Sequence, residues 1–282
     1  MALSAIERAI WHIEAHLSDP FSLEETARAA GVSKFHLSRV FGLLIGMSPS
    51  AFVRGRRLTR AAHDLAAGAP DILSVALDAG YGSHEAFTRA FRAQFGLAPE
   101  TVRENGSVET LSLVEAKTMS DLPTIAIAEP EIVERGPILA AGLEERFSFS
   151  ERGSIPTLWQ KFMPLMMQIP DIRPGTTYGV MSGSVMGEDG FDYAAVIAVE
   201  SIDDIPSGLS AVRIPRLNCA VFRHGGHVAE VGAVCNAIYT DWVPRSDQRP
   251  AEGPIQMIEH YPASFNAMTG EGGFEIWLPL SD

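Results

Sequence analysis

A shift of fifty residues lays one stretch of this 282-residue chain on another: Leu37, Arg39, Phe41, Gly46 and Pro49 fall on Phe87, Arg89, Phe91, Gly96 and Pro99. A repeat of that length restricts the N-terminal part to two copies of one small unit. Ahead of each copy an alanine-rich helical segment ends in glycine, Ala-Arg-Ala-Ala-Gly31 in one and Val-Ala-Leu-Asp-Ala-Gly80 in the other. Each glycine turn leads directly into a second helix, which is the helix-turn-helix arrangement, twice.

Capping and periodicity fill in the rest of this part. Ser4 with Glu7 has the spacing of a capping box, and Ile6, Ile10, Ile13 and Leu17 then recur at helical period until Asp19-Pro20. Ser22 with Glu25 opens a second helix, and Ser33 a third that runs to about Ile45, where Gly46 closes it. On that third helix Leu37, Val40, Phe41 and Leu44 share the core face. Phe35, Arg39 and Gly42 lie opposite, flanked by Ser38 and Leu43.

Ser48-Pro49 starts a longer helix through about Ala66, Asp71 caps a helix over 72–79, and Ser83 one over 84–95. On the last of these Phe87, Ala90, Phe91 and Phe95 face inward, so Glu85, Arg89 and Arg92 face outward with His84 and Thr88 beside them. The long helix crowds Arg54, Arg56, Arg57 and Arg60 into its first half. Beside two helix-turn-helix units, Arg54, Arg56 and Arg60 are candidates for phosphate contact, and Arg57, next to core Leu58, for a structural role.

Charge divides unevenly. Residues 1–107 carry 11 basic and 11 acidic side chains, leaving 11 basic and 24 acidic to the remainder, so the net charge of -13 belongs to the C-terminal part. One part can approach a polyanion; the other repels it and attracts cations. The length favours two domains. Two cysteines give no disulfide framework, the N-terminus lacks the pattern of a secretory signal, and no apolar run nears the roughly 18 to 20 residues of a membrane span. The expectation is a cytoplasmic protein with no membrane partner.

The run Ser33-Lys-Phe-His-Leu-Ser-Arg-Val-Phe41, with Gly80-Tyr-Gly-Ser-His-Glu-Ala-Phe-Thr-Arg-Ala-Phe91 and Phe95-Gly-Leu-Ala-Pro99, resembles the DNA-binding domain of AraC-type transcription regulators. The resemblance covers about the first 105 residues. It implies an all-α domain of seven helices whose two reading helices enter successive major grooves of double-stranded DNA, with RNA polymerase as a further partner. Those grooves lie about 34 Å apart, a distance the long helix can bridge at about 1.5 Å per residue. By position in the motif, Phe35, Ser38 and Arg39 in the first unit and His84, Glu85, Thr88 and Arg89 in the second match the base-contacting residues. One departure stands out: the family often carries lysines just after the residue matching Phe41, where this chain has Gly42-Leu43-Leu44. Fewer phosphate neutralisations predict a modest affinity and a shallow salt dependence.

The helical pattern dissolves near Asn105-Gly-Ser107, and the expected organisation is a DNA-binding domain over 1–108, a linker over 109–127 and a second domain over 128–282. There the period changes to two. Strands are expected over 132–147, 177–182, 193–199, 210–214, 218–223, 256–261 and 274–279, with helices over 156–169 and 228–243. The order reads as duplicated strand-helix-strand-strand units, hence an α+β domain whose antiparallel sheet carries its helices on one face.

What lines that sheet decides its chemistry. Alternation puts Glu259 and Tyr261 on one side of their strand, and Glu275 and Trp277 are taken to share that side, with Tyr178 and Tyr193 on the other strands. A carboxylate among aromatic rings and methionines such as Met163 and Met181 has the composition of a site for a hydrophobic cation. The competing reading is a solvated strand edge with ordinary glutamates.

The residues Tyr239-Thr-Asp-Trp-Val-Pro244, then Gly253-Pro254 and Ile258-Glu-His-Tyr261, resemble the GyrI-like small-molecule-binding domain, and Gly225-Gly226-His227 fits its usual loop. The likeness covers about residues 128 to 281. It implies that Glu259 is the pocket carboxylate, with Trp159, Tyr178, Tyr193 and Trp242 around it, in a sensor of hydrophobic cations of the multidrug type. No cofactor is implied. His224, His227 and Cys235 read as a turn and a buried thiol rather than metal ligands. No phosphate-binding fingerprint or nucleophile elbow occurs. The catalytic alternative is hydrolysis of an electrophilic small molecule with Glu259 and a tyrosine as acid and base; fusion to a DNA-binding domain favours sensing, not enzyme turnover.

Overall fold

The computed structural model describes residues 5–115, 125–183 and 190–281, and the chain divides into two compact units. One comprises residues 1–37 and 49–121, the other residues 38–48 and 122–282. The expected cap at Ser4 and much of the expected linker, 116–124, lie outside the described residues.

Among the described residues of the N-terminal part seven helices follow one another: α1 (Ala5–Ala15), α2 (Leu23–Ala30), α3 (Lys34–Ile45), α4 (Pro49–Ala66), α5 (Ile72–Asp78), α6 (His84–Phe95) and α7 (Pro99–Asn105). Their starts are set by the hydroxyls and the carboxylate that the sequence placed there. Ser22 accepts from the Glu25 amide, Asp71 from Leu73 and Ser74, and Ser83 from Ala86. Each bond satisfies an amide that the first helical turn leaves open. Gly31 ends α2 and Gly96 ends α6, both at φ 72°, a left-handed conformation that a side chain would strain. In the first unit α4, α5, α6 and α7 close around Leu58, Leu65, Val75, Ala76, Phe87, Phe91 and Val102. The Phe91 ring lies 5.4 Å from Phe87 and 4.7 Å from Phe95, so the inward face read from the sequence is the packed one.

Among its described residues the second unit is built on an eight-stranded antiparallel sheet: β1 (Glu131–Arg135), β2 (Ile138–Phe147), β3 (Ile172–Ser182), β4 (Phe191–Val199), β5 (Ser210–Ile214), β6 (Leu217–His224), β7 (Ile255–Tyr261) and β8 (Phe274–Pro279). The order across it is β1-β6-β8-β7-β3-β4-β2-β5. Exchanging β1 with β5, β2 with β6, β3 with β7 and β4 with β8 reverses that order onto itself, which is the signature of the duplication. Each half has given its short first strand to the edge of the other half. Helices α8 (Ile155–Phe162) and α9 (Val231–Ala237) occupy corresponding places after β2 and β6.

Three expected elements are shorter than their patterns. The strand over 132–147 divides at Gly136-Pro137, where Gly136 turns at φ 82° and Pro137 has no amide to give a ladder. The helix over 156–169 ends at Phe162, ahead of Pro164, and resumes only as the 3-10 turn Met166–Gln168. The helix over 228–243 is regular only through α9, with a 3-10 turn before it and the π-helical turn Ile238–Trp242 after it.

Two tight corners curl the sheet. Gly136-Pro137 joins β1 to β2, and Pro215-Arg216 joins β5 to β6, yet each pair stands near opposite ends of the strand order. Two linking residues span about 10 Å, so the two ends of the sheet must approach one another. At their meeting a Cβ on Gly136 would fall 2.5 Å from the Pro215 carbonyl oxygen. The inside of the curl is packed with Ala140, Val180, Val196, Ile214, Cys219, Val221 and Ile258. Among the described residues no helix is long and apolar enough to cross a membrane.

Candidate functional site

The antiparallel register aligns side chains in rows across the sheet. Tyr193 stands opposite Met181, which stands opposite Met257; one row along, Ala195, Gly179, Glu259 and Ile276 follow one another. The outer face therefore carries Tyr193, Met181, Met257, Glu259 and Tyr261 together. Glycine at 179 is what gives the carboxylate its room. A Cβ there would overlap the Tyr193 hydroxyl and lie 2.6 Å from Glu259 Oε2.

Glu259 is 6 % exposed, and two phenols donate to the same oxygen of it: Tyr193 at 2.5 Å and Tyr261 at 2.8 Å. Trp159, on α8, donates its indole N–H to the Tyr193 hydroxyl at 3.1 Å and meets the Tyr261 ring edge-on at 5.4 Å. Burial pushes the Glu259 carboxyl above the ordinary carboxylate range, although both tyrosine hydrogen bonds oppose the shift. Burial and the neighbouring carboxylate push Tyr193 and Tyr261 well above the usual phenol range. Cys235, on α9, packs against the Met257 sulfur at 3.5 Å, and burial raises its thiol to about 12, so it is a small apolar wall.

Four of the predicted ligand residues, Trp159, Tyr193, Glu259 and Tyr261, thus meet in one place. The other four do not. Tyr178, Glu275 and Trp277 point to the opposite face, because the register sets Ile276, not Glu275 or Trp277, against Glu259. Trp242 is buried edge-on against Phe222 at 5.1 Å, and Met163 is exposed at the end of α8. Sequence reading missed Gly179 and Met257, whose cross-strand places only the register reveals.

Inside the curl Glu275 accepts from His260 Nδ1 at 2.9 Å, Trp277 Nε1 at 2.8 Å and Arg223 Nε at 3.0 Å. The His260 hydrogen bond leads in holding its carboxyl down at about 2. A depressed carboxylate stabilises the fold above its unfolded value of about 4.5 and ceases to do so as pH falls to about 2. Glu275→Gln is therefore expected to flatten the loss of thermal stability across that acid window, measured by melting curves at stepped pH. His224 pairs with Glu230 at 2.5 Å, and His227 accepts from the Ala229 amide at 3.1 Å, so both serve the turn ahead of α9.

The predicted DNA contacts have unequal surroundings. On α6, Glu85, Arg89 and Arg92 are exposed, as the helical spacing required. His84 pairs with Glu100 at 3.2 Å, and the Thr88 hydroxyl is buried. Hydrogen bonds from the backbone amide of Glu85 itself and from Ser83 hold the Glu85 carboxyl low. On α4, Arg54 and Arg60 are exposed, Arg60 near the Ser18 hydroxyl at 3.3 Å. Arg56 instead grips Glu14 through two nitrogens at 2.7 and 3.1 Å and donates to the Val114 carbonyl at 2.8 Å. Arg57 donates to the carbonyls of Leu17 and Asp19, a structural role. On α3, Phe35 is 41 % exposed, but Ser38 is buried and Arg39 is 4 % exposed. The Arg39 guanidinium donates to the Ala251 carbonyl at 3.0 Å.

Comparison with known proteins places these features. Residues 128–281 match the GyrI-like small molecule binding domain, and residues 26–105 match a helix-turn-helix domain. The transcriptional regulator Rob of Salmonella typhimurium is 26 % identical over 268 residues, 93 % of this chain and 91 % of that protein. The right origin-binding protein of Escherichia coli is 26 % identical over 275 residues, with the same coverage. The regulatory protein SoxS of Escherichia coli is 34 % identical over 98 residues, 35 % of this chain and 92 % of SoxS. With its family match spanning more than half of its length, the chain belongs to the GyrI-like small-molecule-binding family, carried behind an AraC-type helix-turn-helix domain in the arrangement of the regulator Rob.

Proposed function

We propose that the protein is a ligand-responsive transcription regulator whose helices α3 and α6 read double-stranded DNA and whose second unit senses a hydrophobic cation, with RNA polymerase as the machinery it serves. The observation that carries the ligand class is Glu259, a buried carboxylate ringed by Tyr193, Tyr261 and Trp159. Both phenols donate to Oε2, which leaves Oε1 as the oxygen to face a guest. An aromatic wall adds attraction for a delocalised positive charge, and methionines adapt to varied shapes. Burial raises the Glu259 carboxyl, so a cation that pairs with the ionised form offsets the cost of holding that charge out of water.

The test is a titration of tryptophan fluorescence with an aryl quaternary ammonium ion and with its neutral carbon isostere. The cation is expected to bind tighter, and its affinity to rise about tenfold per pH unit until Glu259 ionises in the free protein, because binding expels the proton that burial retains. Equal binding of the two compounds, independent of pH, would remove Glu259 as the determinant. Hydrolysis is not favoured by the geometry. A tyrosine base requires a lowered phenol, whereas Tyr193 and Tyr261 are driven upward and spend their protons on Glu259.

A further inference from the structure

We propose that the 3-10 turn Phe149–Ser154 of the second unit is a docking surface for the chain's own reading helix α3, and that a ligand at Glu259 frees α3 for DNA. The inference rests on the reading of Glu259 as a ligand site and of α3 as a DNA reader. From Ser38 to Leu44 the helix is buried on every side, including the face that Arg39 and Gly42 share. Contacts within the second unit account for this. Gly42 lies so close to Phe149 that a Cβ would overlap its ring, Arg152 donates to the Leu43 carbonyl, and Arg39 donates to the Ala251 carbonyl. Beyond Arg39 the helix carries no charge, and the run Gly42-Leu43-Leu44 suits a packed position. A base-reading arginine held in this way cannot reach a groove.

The contact is built to be given up. Arg39 Nε is buried and meets no acceptor among the described residues, a cost that a DNA complex would remove. The docking surface is also joined to the ligand site by two routes. The turn runs without a break into α8, so Phe149 and Arg152 precede Trp159 on one helical segment. Ring contacts make the second route: Phe149 to Phe191 at 5.5 Å, Phe191 to Phe147 at 6.1 Å, Phe147 to Tyr193 at 6.4 Å. A cation that packs against Trp159 beside Glu259 draws the indole away from its hydrogen bond to Tyr193. Displacing Trp159 shifts α8 and the turn that precedes it, and α3 loses its seat. The cation then favours the undocked population by its differential affinity.

Two readings on the full-length protein test this, hydrogen exchange of the amides of residues 38–48 and affinity for a duplex enriched by the wild type from a random pool. Arg152→Ala is expected to speed exchange in α3 and, without any cation, to tighten duplex binding about tenfold, since apparent affinity scales with the competent fraction. Phe149→Ala should act in the same direction; retained tryptophan fluorescence shows that the unit is folded, and Arg152→Ala stands if Phe149→Ala is not. Unchanged exchange overturns the docking, and faster exchange with unchanged or weaker duplex binding overturns the competition. If not even the wild type enriches a duplex, the reading of α3 fails and the proposal falls with it, whatever exchange shows.

Discussion

Glu259→Gln is expected to weaken an aryl quaternary ammonium ion by about 100-fold while leaving its neutral isostere within about threefold, about 2.7 kcal/mol of charge-specific affinity. The size follows from where the carboxylate sits. At 6 % exposure it is screened by little water, and its partners Tyr193 and Tyr261 are neutral donors. Glutamine keeps the shape and an oxygen to accept both phenols, so the empty site survives and only the charge is lost. Parallel binding curves by calorimetry separate the outcomes: equal weakening of cation and isostere means that the site collapsed rather than lost its selectivity.

Arg89→Ala is the second large effect, a fall of about 10- to 100-fold in affinity for the enriched duplex, within the range of about 1–3 kcal/mol for an arginine bidentate to guanine. Arg89 is exposed on the outward face of α6, with Glu85 one turn before it. Lysine at this position should not restore binding, because a point charge cannot reproduce the paired donors of a guanidinium. Relaxed preference at one base pair is expected in competition assays. A uniform loss over all sequences would instead make Arg89 a phosphate contact. Arg56, tied to Glu14 and Val114, is a natural contrast whose removal should lower stability more than duplex affinity.

The helical unit was legible because its information is local. Ser22, Asp71 and Ser83 cap where they stand, and Gly31 and Gly96 end helices by their own φ. The fold class of the second unit was also readable, since duplication shows as a recurring order of periods. Register was not. Alternation assigns faces within one strand, but setting Glu259 opposite Ile276 rather than Glu275 is a choice of one residue, and it sends Glu275, Trp277 and Tyr178 to the other side. Arg39 and Arg56 escaped for a related reason. Arg39 was read onto an outer face and is buried, and Arg56 was read as a phosphate contact and grips Glu14; Ala251 and Glu14 are distant in sequence, and no spacing within α3 or α4 announces them.

The central claim is that a cation at Glu259 governs DNA reading. It is tested most directly by titrating the enriched duplex with wild type and Glu259→Gln, each with and without a saturating aryl quaternary ammonium ion. The account predicts that the cation tightens duplex binding by the wild type and leaves the variant unchanged. A cation effect of equal size in both proteins, or none in the wild type at a concentration that saturates its fluorescence change, would contradict it.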